Sequence, residues 1–406
     1  MNAGDEFQPL DAGVTNPARV DSIPWPATIA CALALATLDV VSWTSHGPPY
    51  RYVVATSLIV LSFAIDGALS GSRRRLKPLA ALSLVFFSLW IAGVHTFALM
   101  SGNWEPDGLV ILAGALPLAA APAAYFALPA RPKWGSLTSK ALQIATLIFG
   151  VTALLDAALT PWGEQPTLLG HEKAFLAIVV MGMPKTRRSA VYKAITLTAL
   201  IVAFIKYPSA TVGFVVIVSM VCFWLLQAKT NTSRNIRTIG LIGCFGVIAV
   251  KSNDWIAKFY AVMGRGDNTE TRLGLWDQAI ASVVANPVVG SAASEPITGL
   301  ANIRGVIQPV PFHNSFLTLA VSCGLVAVGL LALSTILLFA TCLSPDLGMR
   351  RRAGLWLPAL LGGLVTMSVN PVLDSLGTAL PFYALMLCGS TGTPRTSENS
   401  ERYHAR

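Results

Sequence analysis

Charge is scarce in this chain: Asp, Glu, Lys and Arg make up only 12% of its 406 residues, against 54% hydrophobic ones. With a mean hydropathy of +0.61, so little charge excludes an ordinary soluble globular domain and points to a chain that crosses a membrane repeatedly. Histidine is scarcer still, at five residues. No cluster of His and carboxylates at metal-ligand spacing occurs in the longest polar stretch, so no metal is expected there. The six cysteines, at 31, 222, 244, 323, 342 and 388, lie within or beside apolar runs. They are expected to be small buried residues rather than a disulfide framework. Residues 1–23 carry Asp5, Glu6, Asp11 and Asp21 but lack the basic region and small-residue cleavage site of a signal peptide, and are expected to form a disordered cytoplasmic tail. A Ser/Thr/Glu-rich segment, 391–406, is expected to form a second such tail. No repeat at a fixed period is visible.

What remains is apolar helix. A crossing needs roughly 20 mainly apolar residues, and the sequence supplies about twelve such runs, near 24–43, 52–71, 78–100, 108–128, 139–158, 168–184, 189–206, 208–228, 237–252, 316–343, 353–370 and 371–390. The expected fold is therefore all-α: one polytopic membrane domain over 24–390, with a large outer loop, 253–315, between spans nine and ten. The net charge of +9 does not indicate nucleic acid, because the basic residues form short clusters between apolar runs. Arg73–Arg75 with Lys77 follow span two, Arg131, Lys133 and Lys140 span four, and Lys185, Arg187, Arg188 and Lys193 span six. Lys229, Arg234 and Arg237 follow span eight, and Arg350–Arg352 span ten. Basic clusters stay on the cytoplasmic side, so this alternation puts both termini inside and 253–315 outside. With that orientation Asp39, His95, Asp156, Glu172 and Lys206 fall near outer helix ends, and only Asp66 lies toward the inner side. Side chains near helix ends reach the interface at little cost, but five on one side suggest that polar work is done there. A transporter would instead place charges near the midplane, on helices broken in matching halves.

Within the outer loop, Asp267 and Glu270 stand in capping-box relation at a helix start, and Asn286-Pro287 marks its end. Leu273, Trp276, Ile280 and Val283 or Val284 recur at helical spacing. This predicts a helix lying on the outer membrane face with Trp276 at headgroup level, a role that a mere amphipathic anchor would fill equally well. Arg272, one turn before Trp276, is the cation best placed to point into a cavity. Residues 287–311, rich in Gly, Pro, Ala and Ser, read as a covering loop. From Phe312 the pattern becomes helical again. His313 and Gly324, eleven residues apart, would then share a face, and Gly324 and Gly329 would let another helix approach closely.

Three segments, Thr271-Arg272-Leu273-Gly274-Leu275-Trp276, Asn286-Pro287-Val288-Val289-Gly290, and His313-Asn314 followed at a distance by Gly324, resemble the O-antigen ligase and polymerase family of membrane glycosyltransferases. A further stretch, Leu169-Gly170-His171-Glu172-Lys173-Ala174, resembles a segment of its polysaccharide-polymerase members. At the head of span eight, where many members carry Arg after Ser, this chain reads Tyr207-Pro208-Ser209-Ala210-Thr211. Either Lys206 replaces that cation or the diphosphate is held differently. The resemblance implies transfer of a glycan from a polyprenyl (undecaprenyl) diphosphate to an acceptor hydroxyl, on the outer face of a bacterial inner membrane, with no metal, nucleotide or other cofactor. It casts Arg272, helped by Arg265, as the stabiliser of leaving-group charge and His313 as the base, with Asp267 and Glu270 as alternative bases. Lys206, His171, Trp276 and Asn314 join Arg265 as substrate-binding candidates. The expected partners are the lipid-linked glycan donor, a glycan or lipid A core acceptor, membrane lipids and other polysaccharide-assembly proteins. Polymerase and ligase both remain open, with the His171 segment tilting toward polymerase. A flippase or transporter is the alternative of a different class, and a non-catalytic scaffold the last.

Overall fold

The computed structural model describes residues between 74 and 119, isolated positions between 144 and 178, and most of 187–240, 269–340 and 353–394. Spans one and two, most of four to six and nine, and the residues Asp39, Asp66, Asp156, His171, Glu172, Arg265 and Asp267 lie outside the described residues. What is described is mostly helical.

A short strand β1 (Arg74–Leu76) leads into α1 (Pro78–Met100). Pro78 suits a first helical turn, where its missing N–H is not needed. The helix stops at Gly102, whose φ of 73° is the left-handed C-terminal geometry that favours glycine. There follow α2 (Arg187–Lys206), α3 (Ala210–Leu226) and α4 (Thr269–Ala285). Next come the strands β2 (Thr298–Ile303) and β3 (Val306–Pro311), then α5 (Ser315–Phe339), α6 (Leu357–Met367), α7 (Leu376–Ser390) and strand β4 (Thr391–Pro394). Leu79–Met100 in α1 and the whole of α5 are long and apolar enough to cross a membrane.

Side-chain hydrogen bonds fix how these helices run. Ser334 donates to the Ser83 hydroxyl at 3.0 Å and the Trp90 indole to the Cys323 carbonyl at 2.8 Å, so α5 descends beside an ascending α1. Ser219 donates to the Pro358 carbonyl at 3.0 Å and Asn370 to the Thr211 hydroxyl at 3.3 Å, making α3 and α6 antiparallel as well. The end of α7 meets Trp356 and Leu338 beside Gly389. One end of the bundle therefore gathers the end of α1, the starts of α3 and α5, and the α6–α7 turn. At the opposite end β4 pairs antiparallel with β1, Leu76 facing Thr391. That pairing corrects the expectation for the start of the C-terminal segment: Thr391–Pro394 is a strand, because an exposed strand edge at Arg74–Leu76 offers it hydrogen-bonding partners.

Tyr383 is fully buried, with its ring centroid 5.9 Å from Phe87 and 5.8 Å from Phe382. Glycine lets the helices approach: a Cβ at Gly363 would meet the Phe382 ring at 2.8 Å. Cys222 and Cys323 are buried among the apolar residues of the core.

Three expectations for the outer segment change. Residues 298–311 are a β-hairpin, not an irregular loop: β2 pairs in register with β3 through a connection ending in Gly305 at φ 86°. Pro309 and Pro311 argued against a strand, but an edge strand tolerates residues that lack an N–H. Second, the packed face of α4 is Leu275, Ala279 and Val283, while Leu273, Ile280 and Val284 are exposed. The expected stripe straddles the border between the two because the apolar arc is wider than its contact with the protein.

The third change concerns Gly324. Asn314 caps α5 from outside, and Gly324 breaks the helix at φ 80°, ψ 173°, so the eleven-residue helical spacing from His313 does not place both on one face. Nor does another helix approach at Gly324; the partner is the turn Asn286–Ser291, and a Cβ on Gly324 would overlap the Val288 carbonyl. A Cβ on Gly329 would meet nothing within 4 Å. The break frees backbone groups, and three near it find partners outside the helix: Leu325 N–H donates to the Pro287 carbonyl at 2.8 Å and Ser291 N–H to the Val321 carbonyl at 2.6 Å, while Cys323 O accepts from Trp90. Gly290, at φ 64°, lies against Val321 so closely that a Cβ would overlap its carbonyl.

Gly324→Ala should therefore lower the unfolding midpoint of the purified protein in detergent, combining about 1–2 kcal/mol of left-handed strain with ~1–3 kcal/mol for displacing the turn. Gly329→Ala, at an open helical position, should leave the midpoint unchanged or raise it. Equal midpoints for both variants would show that the turn does not dock as described.

Candidate functional site

The head of α5 is assembled from four directions. Phe312 is buried with Leu275, Ala279, Val283, Ala301, Ala320 and Val321, a small apolar cluster that joins α4, the hairpin and α5. Gln278 locks the hairpin onto α4, donating to the Leu300 carbonyl and accepting from its N–H, both at 2.9 Å. Trp276 donates its indole N–H to the Phe312 carbonyl at 2.8 Å. One residue on, His313 takes a left-handed φ of 52°. Asn314 then returns to extended geometry, and its side-chain oxygen accepts from the N–H groups of Phe316 and Leu317 at 3.0 and 3.2 Å. A non-glycine residue in this region costs on the order of 1–3 kcal/mol and persists only where its surroundings hold it. Here the Trp276 bond on one side and the Asn314 cap on the other do so.

On α4, Arg272 stands one turn before Trp276, whose indole holds the residue preceding His313, so the Arg272 charge reaches the imidazole. Burial, and then the positive charge of Arg272, push the pKa of His313 down to about 4, so the ring is neutral at pH 7. Arg272 Nε and His313 Nδ1 are both buried without a hydrogen-bond partner among the described residues. A guanidinium cation thus lies within electrostatic reach of a neutral base whose Nδ1 has no partner among the described residues.

Beneath them lies a polar knot that sequence reasoning missed. Ser315 donates to the Asn370 carbonyl at 3.0 Å and accepts from Leu373 N–H at 3.1 Å. Asn370 is fully buried; its amide reaches Thr211 while its Oδ1 has no partner among the described residues. The available signal is Asn370, a polar residue where the runs 353–370 and 371–390 meet.

The remaining candidates fare differently. Trp276 is at the site, but its polar atom holds the backbone. Asn314 is likewise occupied as a helix cap. Lys206 lies at the end of α2, donating to the carbonyls of Thr160 at 2.7 Å and Ala158 at 3.2 Å. Glu270 is exposed in the first turn of α4. His95 is buried in α1, and its Nδ1 accepts from the Trp104 indole at 3.2 Å, which leaves Nε2 carrying the proton. Arg265 and His171 lie outside the described residues. The chain matches no family model, no curated protein and no solved structure.

Because Asn314 satisfies two orphan donors of α5, Asn314→Ala should destabilise the protein by about 0.5–2 kcal/mol, whereas Asn314→Ser or Asn314→Asp should recover most of that. Thermal unfolding of the three variants tests it. Equal stability of all three would mean that the side chain is not the cap.

Proposed function

We propose that this chain is a membrane glycosyltransferase of surface-polysaccharide assembly, multi-pass with both termini cytoplasmic, taking its glycan from a polyprenyl diphosphate. The observation that carries this reading is the pair at the head of α5, Arg272 beside a neutral His313. In the reaction the acceptor hydroxyl oxygen attacks the anomeric carbon, the bond from that carbon to the diphosphate breaks, and its electron pair leaves with the diphosphate. His313 takes the hydroxyl proton, and Arg272 stabilises the growing negative charge through a forked contact. A bound diphosphate also neutralises Arg272, removing one cause of the depressed His313 pKa and making the ring a stronger base when donor is present. Repeat-unit polymerisation is the favoured form, on the His171 segment. Ligation to lipid A core or a protein is the other, and the glycan profile of a deletion strain separates them: single repeat units accumulate when a polymerase is lost, full-length chains on their carrier when a ligase is lost.

One observation speaks for transport: α5 is broken at Gly324, as helices that bind ions often are. Against it, the freed groups Val321 O, Cys323 O and Leu325 N are taken by the Ser291 N–H, the Trp90 indole and the Pro287 carbonyl, so the break lines no ion site with them.

The reading is tested with purified protein, lipid-linked donor and acceptor. His313→Gln should lose about 10²–10⁴-fold in kcat, and Arg272→Lys about ten- to a hundredfold in kcat/KM. Both should keep wild-type protein levels. Since the neutral ring is the active form, kcat/KM should fall as pH drops toward about 4, the free-enzyme pKa. The corresponding limb in kcat should lie at higher pH. Wild-type turnover by His313→Gln would remove His313 from the base role.

A further inference from the structure

The layout of α4 departs from a helix resting on a membrane surface. Near its start Arg272 acts on His313, and Trp276 bonds Phe312, at the very head of α5. The turn that follows its far end is bonded, through Ser291 and Pro287, to Val321 and Leu325, the seventh and eleventh residues of α5. At 1.5 Å per residue those contacts lie roughly 10–15 Å below Ser315. α4 therefore runs down alongside α5, and by Thr298, which pairs with Pro311, the chain is back beside Phe312.

Composition changes along the same path. The exposed residues of the upper part of α4 include Glu270, Asp277 and Gln278; those below are Ile280, Ala281, Val284, Ala285, Asn286, Pro287, Val288 and Val289, and no charge occurs from Ala279 to Ser294. Val284 is 73% and Val288 56% exposed, and the latter adjoins Leu325, itself 51% exposed on α5. The upper part of α5 is covered by α4 and the turn, and below Gly324 α5 is exposed again.

We propose that Thr269–Ser294 is a re-entrant segment: α4 enters the leaflet on the side of the site, the Asn286–Ser291 turn lies at acyl-chain depth against α5, and Ile280, Val284 and Val288 face lipid. Irregular backbone survives at such depth only where protein satisfies its polar groups, and the bonds to Val321 and Leu325 do this for Ser291 and Pro287. The occupant is the hydrocarbon of the same bilayer, because this apolar surface continues directly into that of a helix able to span it. The consequence for the proposed reaction is that Arg272 and His313 sit where a lipid-borne diphosphate meets water. The inference rests on the membrane-spanning part of the proposed function, not on its chemistry.

The test is spin labelling at single cysteines replacing Glu270, Ile280, Val284, Val288 and Leu333, in a background without native cysteines, reconstituted into phosphatidylcholine–phosphatidylglycerol vesicles. Collision with oxygen, which concentrates in hydrocarbon, is compared with collision with a water-soluble nickel chelate. The ratio should rise from Glu270 through Ile280 to Val284 and Val288, with Leu333 as the lipid-facing reference. Val284 and Val288 labels reached by nickel as readily as Glu270, with Leu333 still protected, would overturn the re-entrant segment and leave the spanning helix intact. Protection of Val284 and Val288 from both reagents would also overturn it, in favour of a second copy or another protein. Nickel access at Leu333 would defeat the spanning reading and the inference together.

Discussion

Backbone polar groups without a partner are intolerable away from water, and the break at Gly324 is where that constraint shapes this molecule. A helix interrupted at φ 80° cannot satisfy its own carbonyls and N–H groups. The Asn286–Ser291 turn and Trp90 supply what is missing. Because the turn must reach α5 at that depth, α4 is drawn down beside it, and because α4 is fixed there, its upper end holds Arg272 and Trp276 against Phe312 and His313. Two glycines with positive φ, Gly290 and Gly324, are the points at which the surfaces come together, each too close for a side chain.

The electrostatics of the site follow from this anchoring. His313 is not merely near a cation; its backbone is held in a costly conformation by contacts on either side, and burial together with Arg272 keeps the ring unprotonated. A flexible loop would let the two charges separate as soon as the histidine took up a proton. The rigid arrangement denies that relaxation, so the neutral form is a property of the fold rather than of the residue.

Much of the helical framework was legible because hydropathy is a long-range average: α1, α2, α3, α5 and α7 lie within or close to their expected bounds. Short motifs also singled out Arg272 and His313 as candidates. What failed was local. Helical arithmetic assumed that His313 and Gly324 obey helical φ and ψ, and both are the exceptions. The stripe on α4 was assigned by periodicity alone, which cannot tell an apolar face covered by protein from one left exposed. Proline masked the hairpin, and Asn370 and Ser315 were invisible because their importance arises only when residues 55 apart in sequence meet.

The bond from Trp90 to Cys323 spans 233 residues of sequence. During synthesis at ~5–20 residues per second, α1 must therefore wait roughly 12–50 s for its partner. Through that interval the Trp90 indole and the Ser83 hydroxyl, later joined to Cys323 and Ser334, sit in a helix whose permanent neighbours do not yet exist. Assembly of the bundle is thus a late event, completed only when α7 delivers β4 to β1 and the two ends of the described chain meet. A ribosome stalled or released before residue 391 would leave the Arg74–Leu76 edge without its partner strand.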